Sequence, residues 1–157
     1  MSGAALDEFS ASFELRAVAE RYAMAVDRGD GEMFAAQFTE NGILEAPRGR
    51  YEGRRALATV PSMMTSLYER TFHAVVGQVP VFHGDAADAQ TYTLARHYYR
   101  GGRGVELCYE MTVRYEDRFE REGGRWLLAR RVLTLIGEAA FEQGRKPRDT
   151  NPNRRPA

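Results

Sequence analysis

Residues 105–121 carry the feature that most restricts the fold, an alternation of apolar and polar side chains. The odd positions up to 119 read Val, Leu, Tyr, Met, Val, Tyr, Asp and Phe, while most even positions are charged. A period of two predicts a β-strand with one apolar face. The Gly123-Gly124 pair then predicts a hairpin turn, followed by a last strand from Trp126 to Ile136.

The same period starts at Thr71 and predicts two earlier strands. Residues 72–82 form the first, with a bend at Gly77 or Pro80, and residues 89–100 form the second. Turn sequences rich in glycine separate each strand from the next. Together with the two later strands, they predict an antiparallel meander.

Before Thr71 the apolar residues follow a helical period. One stripe of the first predicted helix consists of Leu15, Val18, Ala19, Tyr22 and Val26. We expect Ser10 or Ser12 to cap its start and Gly29 to end it in the left-handed conformation. Asp30 is the predicted cap of a short second helix.

The segment between this helical region and Thr71 contains two short predicted strands and more helix. Asn41-Gly42 marks a break before a strand at residues 43–45, and residues 51–53 form another strand. From Gly53 to Tyr68 the pattern is helical, with Pro61 in the first turn of a new helix.

Helices followed by a meander predict an α+β domain. We expect a curved antiparallel sheet with three to four helices, forming a cone-shaped roll around one pocket suited to a small ligand. At 157 residues the chain is long enough for one domain. Residues 1–142 are predicted to form it, and residues 143–157 a flexible basic tail.

The composition argues against several classes of function. Acidic and basic residues balance at 22 each, so no overall charge favours nucleic acid or a membrane surface. The single cysteine, Cys108, has no internal disulfide partner, and no zinc-like spacing is present. No secretion signal or membrane span is evident, so we expect a cytoplasmic protein. We also expect it to use no metal and no cofactor.

Asp27 and His73 are the leading catalytic candidates. Asp27 falls in the last turn of the first predicted helix, where the negative end of the helix dipole disfavours a carboxylate. Histidine exchanges protons near neutral pH. We favour the interpretation that Asp27 orients and charges His73 as a general base. The alternatives are an Asp that forms a turn with Gly29 and a buried His bonded to a backbone carbonyl.

Tyr22 and His97 are further candidates, each with a structural alternative. Tyr22 lies on the apolar stripe, where core packing competes with a role as hydrogen-bond donor to substrate oxygen. His97 has small neighbours on its strand and is a candidate donor to a leaving hydroxyl, or else a structural hydrogen-bonding group or a subunit contact. His83, in a predicted turn, is expected to be solvated.

The order of these segments resembles the SnoaL-like group of the nuclear transport factor 2-like superfamily. The residues that carry the resemblance are Arg21–Asp30, Tyr51–Arg54, Thr71–His73, Gly84–Ala86, Tyr115–Phe119 and Gly123–Trp126. Scytalone dehydratase, lindane dehydrochlorinase and the bile-acid dehydratases of this group use an Asp–His pair. Its Asp ends the first helix and its His begins the first long strand, which are the places of Asp27 and His73.

Other positions agree with the resemblance only in part. Tyr22 lies five residues before Asp27, as in the bile-acid enzymes, and His97 falls near a second dehydratase histidine if one residue is dropped. The base of the ketosteroid isomerases would fall at Ala46, so their mechanism is not expected. A dehydratase Asn falls near Tyr115, so the leaving group is expected to be handled differently.

The resemblance implies a cofactor-independent lyase or isomerase, dehydratase-like, acting on an apolar cyclic molecule such as a polyketide, steroid or terpenoid. His73 would remove a C–H proton, Tyr22 would bind the oxyanion, and His97 or water would return a proton. Predicted substrate-binding residues are Met63, Tyr109, Met111 and Tyr115, with Met63, Met64 and Leu67 as an apolar lid.

Two alternatives remain open at this point. One is a polyketide cyclase that uses the same pocket, and the other is a non-catalytic ligand-binding or assembly module. A homo-oligomer, either a trimer or a dimer, is expected because an exposed antiparallel face is commonly paired.

Overall fold

The computed structural model describes residues 3–144 of the chain. Its helices are α1 (Gly3–Arg28), α2 (Gly31–Ala35), α3 (Gly53–Leu57) and α4 (Val60–Leu67). Its strands are β1 (Phe38–Ala46), β2 (Gly49–Glu52), β3 (Arg70–His83), β4 (Ala86–Arg100), β5 (Glu106–Glu122) and β6 (Arg125–Glu142). The predicted tail, from residue 145 onwards, lies outside the described residues.

The strands form one six-stranded sheet in the order β2-β1-β6-β5-β4-β3. Strands β3 to β6 make the predicted antiparallel meander. Strand β1 adds to β6 in parallel, and β2 pairs antiparallel with β1, so the sheet is mixed. The predicted α+β class, with helices against one curved sheet, is confirmed.

Helix α1 ends as predicted but begins earlier. Gly29 has φ +68°, and its N–H donates to the Val26 carbonyl at 3.1 Å. The Asp30 carboxylate accepts from the Met33 N–H at 2.9 Å and caps α2. The expected cap at Ser10 or Ser12 is wrong, because good helix formers precede both residues and the helix already starts at Gly3.

Strand β6 is longer than predicted, reaching Glu142 rather than Ile136. Its last part pairs with the start of β5, from Thr112 opposite Gly137 to Leu107 opposite Glu142. The sequence signal is weak there because Gly and Ala have low strand propensity, and pairing with β5 overrides it. The break expected at Asn41-Gly42 is a register irregularity within β1.

The core lies between the helices and one face of the sheet. Its fully buried members come from both layers and include Leu15, Phe34, Phe38, Leu57, Phe119 and Leu128. The odd residues of β5 from Met111 to Phe119 point to this side, as the alternation predicted. Within residues 3–144, no helix is long and apolar enough to cross a membrane.

Candidate active site

A cavity of about 330 Å³ opens between the helices and the curved sheet. Most of its lining is aliphatic or aromatic, and the predicted substrate-binding residues Met63, Tyr109, Met111 and Tyr115 all belong to it. The remaining apolar lining includes Val26, Leu44, Tyr51, Val60, Met64, Ala95, Val113 and Leu133. Leu67 of the predicted lid is exposed and is not part of the lining.

Asp27 and His73 are in direct contact beside this cavity. The last turn of α1 brings the Asp27 carboxylate against the start of β3, where its Oδ1 lies 2.6 Å from His73 Nδ1. The same carboxylate accepts the His73 backbone N–H on Oδ2 at 3.0 Å and the Thr71 hydroxyl on Oδ1 at 2.7 Å. Three donors therefore fix the carboxylate that the helix dipole disfavours.

This arrangement determines which ring nitrogen of His73 is free. Burial alone would raise the pKa of the Asp27 carboxyl, but its bonds and charge interaction with His73, with help from Thr71, hold that pKa below its ordinary value. An ionised carboxylate only accepts, so Nδ1 of His73 carries the proton. His73 lines the cavity whereas Asp27 does not, so Nε2 is the ring nitrogen that the carboxylate leaves free.

His97 lies on β4, which pairs with β3 so that Thr71 is opposite His97 and His73 is opposite Ala95. The two imidazole rings meet edge to face, with 5.4 Å between centroids. The Nδ1 atom of His97 is 3.2 Å from the Tyr109 carbonyl oxygen. Because a carbonyl only accepts, Nδ1 carries the proton and Nε2 is an acceptor.

The buried His97 ring is electrostatically suited to stay neutral. Its residue is only 3% exposed. Burial, followed by the charge of His73, lowers the pKa of His97 to about 4. A neutral His97 offers a lone pair rather than a proton, which differs from the donor role that the sequence suggested.

Tyr22 both packs in the core and lines the cavity. Its ring packs 4.6 Å from Phe34 in the core, and the residue also lines the cavity. Its side chain interacts with Tyr115, which lies across the cavity wall on β5. Burial raises the pKa of Tyr22, although the charge of Arg131 opposes that rise. Tyr22 is therefore a neutral phenol and a potential donor.

A buried ion pair beneath Tyr22 and Tyr115 was not foreseen from the sequence. Arg131 Nε and Nη2 donate to the two Asp117 carboxylate oxygens, each at 2.7 Å, and the Thr91 hydroxyl donates to the same carboxylate at 2.7 Å. The Arg131 guanidinium lies 4.3 Å from the Tyr22 ring centroid and 4.2 Å from that of Tyr115. This cation holds both phenols in place through cation–π contacts.

The mouth of the cavity is more polar than its interior. Tyr109 donates its hydroxyl to a Glu138 carboxylate oxygen at 2.5 Å, and this bond, with burial, raises the pKa of Tyr109 to about 12. Arg48, in the turn between β1 and β2, donates from Nη2 to the Tyr68 hydroxyl at 3.1 Å. Tyr68 in turn stacks on His97, with 4.7 Å between ring centroids.

The sequence model of one family covers most of the domain that has this geometry. The model of the SnoaL-like domain matches residues 7–132. This chain belongs to the SnoaL-like domain family. The SnoaL-like group of the nuclear transport factor 2-like superfamily, which the sequence resembled, is thereby confirmed. Among curated proteins, no sequence matches this SnoaL-like domain.

Solved structures share the fold of this SnoaL-like domain. A protein of unknown function from Mycobacterium tuberculosis is 23% identical, with a TM-score of 0.75 over 85% of this chain and 76% of its own. A putative scytalone dehydratase from Novosphingobium aromaticivorans is 20% identical, with a TM-score of 0.74 over 88% and 91%. A hexachlorocyclohexane dehydrochlorinase, LinA type 2, is 14% identical, with a TM-score of 0.77 over 87% and 92%. At these identities the likeness establishes the fold alone.

The SnoaL-like domain thus brings together all four residues predicted as catalytic: Tyr22, Asp27, His73 and His97. His83, which was expected to be solvated in a turn, is instead the last residue of β3; its side chain is 51% exposed, and its Nε2 lies 3.2 Å from Asp88 Oδ2. In the part of the chain that the structure describes, no group of three His, Cys, Asp or Glu side chains could hold a metal ion.

Proposed function

We propose that this SnoaL-like domain is a cofactor-independent lyase or isomerase, dehydratase-like, that acts on an apolar cyclic small molecule. The observation that carries the proposal is the contact of 2.6 Å between Asp27 and His73 beside a largely apolar cavity. A histidine held by a carboxylate on Nδ1 and open on Nε2 has the arrangement of a general base.

In the first step, His73 Nε2 removes a proton from a carbon next to a carbonyl group. The electron pair of the C–H bond moves to the carbonyl oxygen and makes it an oxyanion. Tyr22, a neutral phenol on the cavity wall, donates a hydrogen bond to that oxygen. Base catalysis of this kind contributes about 10²–10⁴-fold, and one oxyanion donor about 10²–10³-fold.

In the second step, the carbonyl re-forms, the carbon that lost its proton forms a double bond to the next carbon, and the C–O bond from that next carbon to its hydroxyl group breaks. The leaving hydroxide takes the proton from the imidazolium of His73, directly or through water, and departs as water. Because the pKa of His97 is about 4, its ring is neutral near pH 7. We assign its Nε2 to accepting a hydrogen bond from the substrate hydroxyl before that hydroxyl leaves. In an isomerisation, the same proton returns to another carbon instead.

Two further observations support a lyase. Two of the similar structures are named as a putative scytalone dehydratase and a hexachlorocyclohexane dehydrochlorinase. Both names denote enzymes that eliminate a small molecule from the substrate. A non-catalytic binding module predicts a collapsed pocket with Asp27 and His73 apart. The open cavity and their direct contact weigh against that alternative.

The test is a set of hydroxylated cyclic ketones, drawn from polyketides, steroids and terpenoids, with products followed by mass spectrometry. With NMR to locate double bonds and rings, loss of water without ring closure identifies a dehydratase, an unchanged mass with a moved double bond an isomerase, and a new ring a cyclase. His73→Ala should reduce turnover at least about a hundredfold. His83→Ala is the matched control and should keep wild-type turnover. Equal rates for both variants would remove His73 from the mechanism.

A further inference from the structure

The charged groups at the cavity mouth indicate a second recognition element. Apart from its histidines, Arg48 and Glu138 are the charged residues in the lining of the cavity. The Glu138 carboxylate already accepts the Tyr109 hydroxyl at 2.5 Å. Arg48 therefore supplies the positive charge at this entrance.

Within residues 3–144, Arg48 has no carboxylate partner. None of the ion pairs formed there includes it. Its hydrogen bond goes to the neutral Tyr68 hydroxyl, at 3.1 Å. Arg50, two residues further on, instead pairs with Glu52 at 2.5 Å and lies 3.6 Å from Glu45.

A guanidinium has five N–H donors in a planar fork that matches a carboxylate. The bond to Tyr68 uses one of them and leaves the others for a ligand. Tyr68 also stacks on His97, so the positions of Arg48 and of the reacting site are linked through one side chain. A ligand group held by Arg48 would therefore be placed at a set distance from His97.

We propose that Arg48 binds a carboxylate of the ligand, so that the substrate class is an apolar cyclic carboxylic acid. Its rings occupy the aliphatic and aromatic cavity, and its carboxylate stays at the entrance, where it remains partly hydrated. The proposal rests on the proposed function for the identity of the reacting end, whereas binding at the mouth does not require turnover.

The experiment compares two naphthalenes of nearly the same shape, 2-naphthoate and the neutral methyl ketone 2-acetonaphthone. Isothermal titration calorimetry at low salt gives the Kd of each for the wild type, Arg48→Gln and Arg50→Gln. The wild type should bind 2-naphthoate more tightly than the ketone. Arg48→Gln should raise the Kd of 2-naphthoate about fivefold and that of the ketone less than about twofold, as expected for an exposed charge-assisted contact. Arg50→Gln should change neither Kd.

Several results would overturn the proposal. These are wild-type binding of 2-naphthoate no tighter than that of the ketone, an equal effect of Arg48→Gln on both ligands, or an equal effect of Arg50→Gln on 2-naphthoate. Because no reaction is measured, a failure here leaves the catalytic proposal standing. A catalytic failure, with His73→Ala fully active, likewise leaves the affinity difference at Arg48 intact.

Discussion

Asp27 and His73 are joined twice, once through the imidazole and once through the backbone. Asp27 Oδ1 is 2.6 Å from the ring Nδ1, and Oδ2 accepts the His73 backbone N–H at 3.0 Å. The carboxylate therefore fixes both the ring and the strand that carries it. These two hydrogen bonds link the end of α1 to the start of β3, so the orientation of His73, the proposed base, depends on Asp27.

Asp27→Asn should reduce turnover about 10²–10³-fold. An amide has one acceptor oxygen where three donors now converge, so one N–H of the amide must face another donor. The measurement is kcat and KM on a substrate found in the product screen. Thr71→Val keeps the carboxylate and loses one of its bonds, so it should lower kcat only several-fold. A larger loss in Thr71→Val than in Asp27→Asn would contradict this account.

His97 should make the protein less stable in mild acid. Its pKa falls from an ordinary 6.5 to about 4 in the folded state, first because of burial. Between these values the unfolded chain binds more protons than the folded one, so the free energy of unfolding falls as the pH is lowered from 6.5 to 4. The loss amounts to roughly 3 kcal/mol at most.

The variant His97→Asn tests this pH dependence. Its amide can donate to the Tyr109 carbonyl as Nδ1 does, but it does not titrate. Urea unfolding followed by Trp126 fluorescence at pH 7 and pH 4.5 should show a smaller decrease for the variant than for the wild type. The prediction fails if the two proteins lose the same free energy of unfolding over that interval.

Tyr22→Phe should lower kcat about a hundredfold with little change in stability. The phenylalanine ring keeps the packing against Phe34 and the cation–π contact with Arg131, so only the hydroxyl is removed. Tyr92→Phe, on an exposed side chain, is the control and should keep wild-type kcat. Unchanged kcat in Tyr22→Phe would leave the phenol with a packing role alone.

Arg131→Met should destabilise the fold by about 3–5 kcal/mol, because it leaves the Asp117 carboxylate buried without its partner. The two side chains are 1% and 0% exposed, so water does not replace the lost bonds. Urea midpoints and slopes measure the change. In the double variant Arg131→Met with Asp117→Leu, part of the stability should return. A double variant less stable than the single one would argue against the charge explanation.

The parts of the site that depend on local signals were predictable. A helix stop at Gly29 and a strand start at Thr71 placed Asp27 and His73 at the ends of neighbouring elements. The alternation of β5 likewise oriented Met111 and Tyr115 toward the cavity. Each of these positions followed from the period of one segment and the turn chemistry beside it, whereas the pairing of Asp27 with His73 was what the family resemblance implied.

The parts that depend on register irregularities or on pairing between distant segments were not predictable. Asp117 had the inward parity on β5, but an unbroken register from the Gly123-Gly124 hairpin would place Arg130 opposite it, and the irregularity between Arg118 and Phe119 brings Arg131 there instead. The parallel pairing of β1 with β6 joins segments that are far apart in the sequence. The protonation of His97 depends on the Tyr109 carbonyl and on burial, which one strand pattern does not encode.

Strand β3 is the outermost strand of the sheet at the end opposite β2, and it carries His73, the proposed base. Border strands fray at a lower free-energy cost than central ones, because they have a neighbour on one side only. A slight separation of β3 from α1 would break the hydrogen bond between His73 and Asp27 while the central strands stayed folded. On heating, the protein should therefore lose activity at a temperature below that of its global unfolding.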